Sequence, residues 1–148
     1  MTESKPIATL MEEAKSPQDR IEWESEEDEP AVGVPYREAI GSLMYLMVAS
    51  RPDIAYSVGK LALFCEHPKW KHWLAVKRVI RYVNGASKMG LCYKGLNGGS
   101  VVGYSDSDWA GDVCDKKSTS AYGFMMSGAA VNWCSRKKKI TATSSCEA

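Results

Sequence analysis

The sequence predicts an α+β protein in which a three-helix unit precedes a β-sheet. Two observations predict it. Between residues 36 and 85 the apolar side chains recur at i, i+3, i+4 and i+7, the spacing of one face of a helix. From Gly90 onward that spacing gives way to short β-rich runs separated by Gly-bearing turns. A third feature frames both: residues 1–35 hold ten acids against three bases. The formal charge is therefore −7 there and +8 on residues 36–148, within a total of +1.

Residues 1–35 are poor in large apolar side chains, and Glu22 to Glu29 packs six acids into eight positions. Such a segment reads as an acidic flexible linker or tail, with a short helix expected near Ile7–Lys15. Pro30, Gly33 and Pro35 close it.

From Tyr36 the pattern is helical. Ile40, Leu43, Met44 and Met47 form one stripe on a helix of about 14 residues. Ser50-Arg51-Pro52-Asp53 then reads as a helix start, with Ser50 as N-cap and Pro52 in the first turn. Ile54, Val58, Leu61 and Cys65 line the second helix, which His67-Pro68 should end because a residue before proline avoids the helical region. The third helix is predicted over Trp70 to Asn84 with Gly85 as its stop. Trp73, Val76, Val79, Ile80 and Val83 fall within about 120° of its circumference, while Lys71, Lys77, Arg78 and Arg81 gather on another sector with Trp70 and Leu74 between them. The apolar side completes a three-helix core. The basic side suits phosphates, with Trp70 placed to stack; its plain alternative is a solvated face.

The β region is expected to open with a strand at Leu91-Cys92-Tyr93 and a turn at Asn97-Gly98-Gly99. A strand from Val101 then delivers Asp106 and Asp108. If it runs through Asp108, alternation places both carboxylates on one face, where they suit a hard cation. Asp and Gly are also ordinary turn residues. Further strands are expected at Ser120–Met126 and Val131–Ser135, joined through Gly128. A basic turn over Arg136–Lys139 and a strand at Ile140–Thr143 follow. Ser144 and Glu147 have the spacing of a capping box.

No apolar run reaches the roughly 20 residues that cross a bilayer, and the first residues lack a signal-peptide core. The five cysteines are odd in number and form no C-x-x-C, which suits reduced thiols in the cytoplasm or nucleus rather than a secreted protein. Cys65, His67 and His72 offer a weak zinc set without a convincing fourth ligand.

Several stretches resemble copia-type (pseudovirus) retrotransposon Pol polyproteins. They are Pro35 to Leu46, Ser50 to Ala55, and His72-Trp73 with Ala75, Lys77-Arg78-Val79 and Arg81-Tyr82. Tyr104 to Asp112 follows, then Lys117 to Ser120 with Tyr122, Ala130-Val131 with Trp133, and Ser144-Ser145 before Glu147-Ala148. The motifs keep the family's order across about residues 35–148, with Ala121 and Cys146 as smaller departures. After the linker at 1–35, the resemblance implies two parts: a reverse transcriptase thumb/connection-like unit at 36–89, and the N-terminal part of a ribonuclease H-like domain, a truncated mixed sheet, at 90–148. In the parent the partners are an RNA–DNA hybrid or template–primer duplex and the remainder of the polyprotein, with no membrane.

Residue by residue, the resemblance makes Asp106 the first metal-binding carboxylate of the ribonuclease H centre and Asp108 a favoured neighbour. Glu147 matches the first acid of a Glu-Ala-Glu-Tyr motif whose second acid is catalytic; its simplest work is the helix cap. The remaining carboxylates fall beyond Ala148, and the polymerase palm is missing upstream. The resemblance implies Mg²⁺ in the parent, while this chain is expected to hold none stably and to be inactive as nuclease and polymerase. Two other readings stand beside this one: a non-catalytic nucleic-acid-binding helical module, and a transposon relic without selected function.

Overall fold

The computed structural model describes residues 29–95, 100–108 and 116–144. They divide into two units, with the boundary between Met89 and Gly90. The first contains α1 (Tyr36–Ala49), α2 (Ala55–Ala62) and α3 (Trp70–Gly85); the second contains β1 (Val102–Ser107), β2 (Thr119–Met126) and β3 (Ala129–Lys137). The α+β class is as predicted.

The helical core gathers Tyr36, Ile40 and Leu43 of α1, Ile54, Val58 and Leu61 around α2, and Val76 and Val79 of α3. Each is a position the stripes select, apart from Tyr36. Burying one such aliphatic side chain favours the fold by about 1.5–3 kcal/mol. The Tyr36 hydroxyl donates to the Leu61 carbonyl at 2.9 Å, joining α1 to α2. Burial pushes that phenol well above its ordinary range, so it stays protonated as a donor.

The junctions differ from the expectation. Ser50 closes α1 instead of opening α2: its amide and that of Arg51 both donate to Leu46 O, at 3.0 and 2.9 Å. Pro52–Ile54 then forms a 3₁₀ turn with no side-chain cap. The Arg51 side chain is held by tertiary partners, and these set the turn in place of a serine cap. α2 ends at Ala62, short of His67. The amides of Leu63, Phe64 and Cys65 tighten to i−3 carbonyls. Phe64 thereby stacks on His72, with ring centroids 3.8 Å apart.

Glu29, Pro30 and Ala31 run antiparallel to Pro68, Lys69 and Trp70. The Trp70 amide donates to Glu29 O at 3.0 Å and the Ala31 amide to Pro68 O at 2.9 Å.

The sheet has the order β1-β2-β3 and is antiparallel throughout, where a mixed sheet was expected. Its described strands are joined as successive neighbours, and such neighbours pair antiparallel. Ser127 and Gly128 turn β2 into β3 with φ of 51° and 85°, the positive pair of a tight hairpin turn. A bulge at Phe124/Met125 leaves Val131 as the extra residue of β3. Leu91–Tyr93 is not a strand: Lys94 N bonds Ser127 O, and the Tyr93 hydroxyl bonds Ala130 O, without a ladder. Arg136 and Lys137 belong to β3, not to a turn, and residues 140–143 form no strand. β-propensity without a paired neighbour does not make a strand.

The register assigns the faces. Val102, Tyr104 and Asp106 of β1 share one with Ala121, Gly123 and Met125 of β2 and Trp133 of β3. The other holds Tyr122 and Phe124, both exposed, with centroids 5.7 Å apart. Phe124 lies over Gly103, where an added Cβ would stand 2.8 Å from the ring.

Candidate functional site

The basic sector of α3 exists as a continuous stripe. At 100° per residue Trp70, Leu74, Lys77 and Arg81 lie within about 60°, with Arg78 and Lys71 together on one side of them. Val76 and Val79 face the core, fully buried. The Lys77 ammonium sits over the Trp70 ring, 5.3 Å from its centroid, within cation–π range. Trp70 is 46% exposed and Leu74 48%, so an aromatic and an aliphatic surface lie open among the cations. Of the predicted nucleic-acid contacts, the structure brings Trp70 and Lys77 together and sets Arg81 one turn beyond. The Nε of Arg81 is enclosed and has no hydrogen-bond partner among the described residues.

The helix is fixed at both ends by polar contacts that periodicity does not reveal. At its start the Lys69 amide donates to Nδ1 of His72 at 3.2 Å, and His72 is 1% exposed. At its end Arg51, 4% exposed, reaches across from the α1–α2 junction. Its Nη1 donates to Ala86 O at 3.1 Å, while Nε and Nη2 grip Asp53. The Tyr82 hydroxyl completes the cluster by donating to Asp53 Oδ2 at 3.0 Å, and the guanidinium carbon of Arg51 stands 5.5 Å from the Tyr82 ring centroid.

The hydrogen bonds from Arg51, and then that from Tyr82, hold the Asp53 carboxyl below its ordinary range against the opposing effect of burial. Hydrogen bonding to Asp53 raises Arg51. Burial chiefly raises the Tyr82 phenol. Opposite charges on either side of Pro52 were the available signal. Tyr82 and Ala86 carried none, because they meet Arg51 only through the helix packing.

Asp106 lies on β1, an edge strand of the sheet among the described residues, opposite Ala121. β1 stops at Ser107, one residue short of Asp108. The Asp108 amide donates to Thr119 O at 3.0 Å, and its carboxylate accepts the Thr119 amide in return. Asp108 thus has a structural task at the strand end, while Asp106 stands on an exposed strand. Mg²⁺ needs several fixed oxygen ligands. Among the described residues no group of three or more His, Cys, Asp or Glu side chains is placed to hold a metal ion. These residues do not by themselves fit a two-ion centre, and the Cys65, His67 and His72 set is not assembled. Glu147 and its capping box, the Trp109–Asp112 part of the Asp-bearing stretch, the Asn97-Gly98-Gly99 turn and the expected helix near residues 7–15 lie outside the described residues.

No helix among the described residues is long and apolar enough to cross a membrane. No protein-family profile and no solved structure matches the chain. Among curated proteins it is 41% identical over its whole length to the Retrovirus-related Pol polyprotein from transposon TNT 1-94 of Nicotiana tabacum, of which it spans 11%. It is 38% identical, again over its whole length, to the corresponding polyprotein from transposon RE2 of Arabidopsis thaliana, of which it spans 10%. A match of 47% identity over 114 residues, 77% of this chain, joins it to the Secreted RxLR effector protein 161 of Plasmopara viticola and covers 80% of that protein.

Proposed function

The chain belongs to the copia-type retrotransposon Pol polyprotein family, of whose full-length members it spans about a tenth, and from that membership we propose a division of labour within it. Residues 36–89 are a thumb/connection-like unit that holds nucleic acid through α3. Residues 90–148 are the first strands of a ribonuclease H-like domain, with Asp106 as its first carboxylate. The observation that carries the reading is the match of this chain, over its whole length, to about a tenth of a Pol polyprotein, together with the Trp70–Lys77–Arg81 stripe.

In this reading α3 does the binding. Lys77 and Arg81 neutralise phosphates and release counterions, and Trp70 offers a flat surface beside them. The Arg51–Asp53–Tyr82 cluster takes no part in chemistry; it fixes the far end of α3, and with it the line of cations. In a complete domain Asp106 would be one of the carboxylates that hold Mg²⁺, and the ion would supply water activation and charge stabilisation at the leaving oxygen. The 148 residues alone are proposed to bind nucleic acid without cleaving it.

The test uses the chain with a labelled RNA–DNA hybrid and Mg²⁺. Binding that weakens steeply with salt, with the hybrid left intact, is the expected result. Asp106-dependent cleavage overturns the inactivity, and absence of binding overturns the assignment of α3. In a complete polyprotein relative, replacing the Asp aligned with Asp106 by Asn should abolish hybrid cleavage.

One observation favours a second reading. The Plasmopara relative is mostly covered by the matched segment, so such a segment also exists apart from a long polyprotein. A free-standing nucleic-acid-binding module would bind the same hybrid with an affinity indifferent to Asp106→Asn.

A further inference from the structure

We propose that the acidic run Glu22–Glu29 docks along the basic stripe of α3 and covers it with the chain's own carboxylates. The masking of nucleic acid that follows rests on the function proposed above; the docking itself does not.

The anchor comes first. Glu29 O accepts the Trp70 amide and the Ala31 amide donates to Pro68 O, so the end of the acidic run is bonded to the first residue of α3. In this antiparallel register Ala31 lies beside Pro68 and Glu29 beside Trp70. The chain leading back from Glu29 therefore sets off in the direction in which Trp70 leads into the helix.

Reach comes second. Seven steps from Glu29 back to Glu22 extend at most about 25 Å. The eleven steps from Trp70 to Arg81, at about 1.5 Å each, make about 17 Å. The tether is long enough to follow the stripe through Arg81.

Chemistry comes third. The run presents six acids to Lys71, Lys77, Arg78 and Arg81. Ile21 and Trp23 bring apolar surface to a stripe in which Trp70 and Leu74 are about half exposed. A tether this short gives an effective concentration in the millimolar range, enough for pairs that are individually weak.

Zero-length carbodiimide coupling of carboxylates to amines in the full chain, read by mass spectrometry, tests the docking. Glu22–Glu29 should couple to Lys71 and Lys77 at low salt, and the yield should fall several-fold at about 0.5 M salt as the charges are screened. No coupling, or equal coupling to Lys94, Lys116 and Lys138, overturns the proposal. A variant with Glu22, Glu24, Glu26 and Glu27→Gln and Asp28→Asn keeps the Glu29 backbone anchor. Its affinity for an RNA–DNA hybrid at low salt should rise about tenfold, as removal of a tethered competitor requires. Coupling present with hybrid affinity unchanged leaves the docking standing and overturns the masking of nucleic acid.

Discussion

The guanidinium of Arg51 meets the carboxylate of Asp53 through two donors, Nε at 2.9 Å and Nη2 at 2.8 Å, across the single residue Pro52. This fork pairs a buried cation with a partner that Tyr82 also holds, and Arg51 uses its remaining reach to bond Ala86 O. One side-chain cluster at the α1–α2 junction therefore sets where α3 ends. Breaking a buried pair from one side leaves an uncompensated charge, which costs more than the pair itself contributes.

Asp53→Asn should accordingly destabilise the helical unit by about 3 kcal/mol. Tyr82→Phe, which removes one hydrogen bond and keeps the ring under Arg51, should cost about 1 kcal/mol. Urea unfolding followed by circular dichroism measures both. Equal midpoints for wild type and Asp53→Asn would show the cluster to be incidental.

The same pair sets an acid dependence. The folded-state pKa of Asp53 is depressed below its ordinary 3.8, chiefly by the Arg51 hydrogen bond. Its stabilising contribution is therefore complete above the unfolded value and is lost as pH falls through the folded one. The urea midpoint should drop below about pH 4. Asp53→Asn should show a shallower drop over that range.

Ile54 and Leu63 are both large aliphatics around α2, but Ile54 is fully buried and Leu63 is 59% exposed. Ile54→Ala should cost about 2–5 kcal/mol through lost transfer energy and the cavity left behind. Leu63→Ala should stay within about 0.5 kcal/mol. Chemical denaturation of the two variants side by side checks the contrast.

Asp106 and Asp108 should separate by kind of effect. Asp108→Ala removes the acceptor of the Thr119 amide and should cost the sheet about 1 kcal/mol, seen as faster hydrogen exchange at Thr119. Asp106→Asn, on an exposed strand, should leave exchange and stability unchanged.

Gly128 turns the hairpin at φ +85°, and an added Cβ would meet nothing within 4 Å. The cost of Gly128→Ala is thus conformational, about 1 kcal/mol, and should appear as fraying of the Met126–Ala129 end of the sheet by hydrogen exchange.

The sequence by itself determined the α+β order, the length of α1, the site of the Ser127-Gly128 turn, the family and most of each helix's buried face, although Met44 of the α1 stripe is exposed and Tyr36 is buried in the core instead. Each is written locally: helix faces in a 3.6-residue period, the turn in a glycine that tolerates positive φ, ancestry in ordered motifs. Tertiary structure alone decided which polar residues have partners. It turned Ser50 from an expected cap into the end of α1, committed Arg51 and Asp53 to Tyr82 and Ala86, stacked His72 on Phe64 and bonded Asp108 to Thr119. It also withheld a strand from residues 91–93 and 140–143. The physical reason is common to all of these. A hydrogen bond or a ladder needs a partner at a defined distance, and the partner's position is a property of the packed chain, not of its neighbours in sequence.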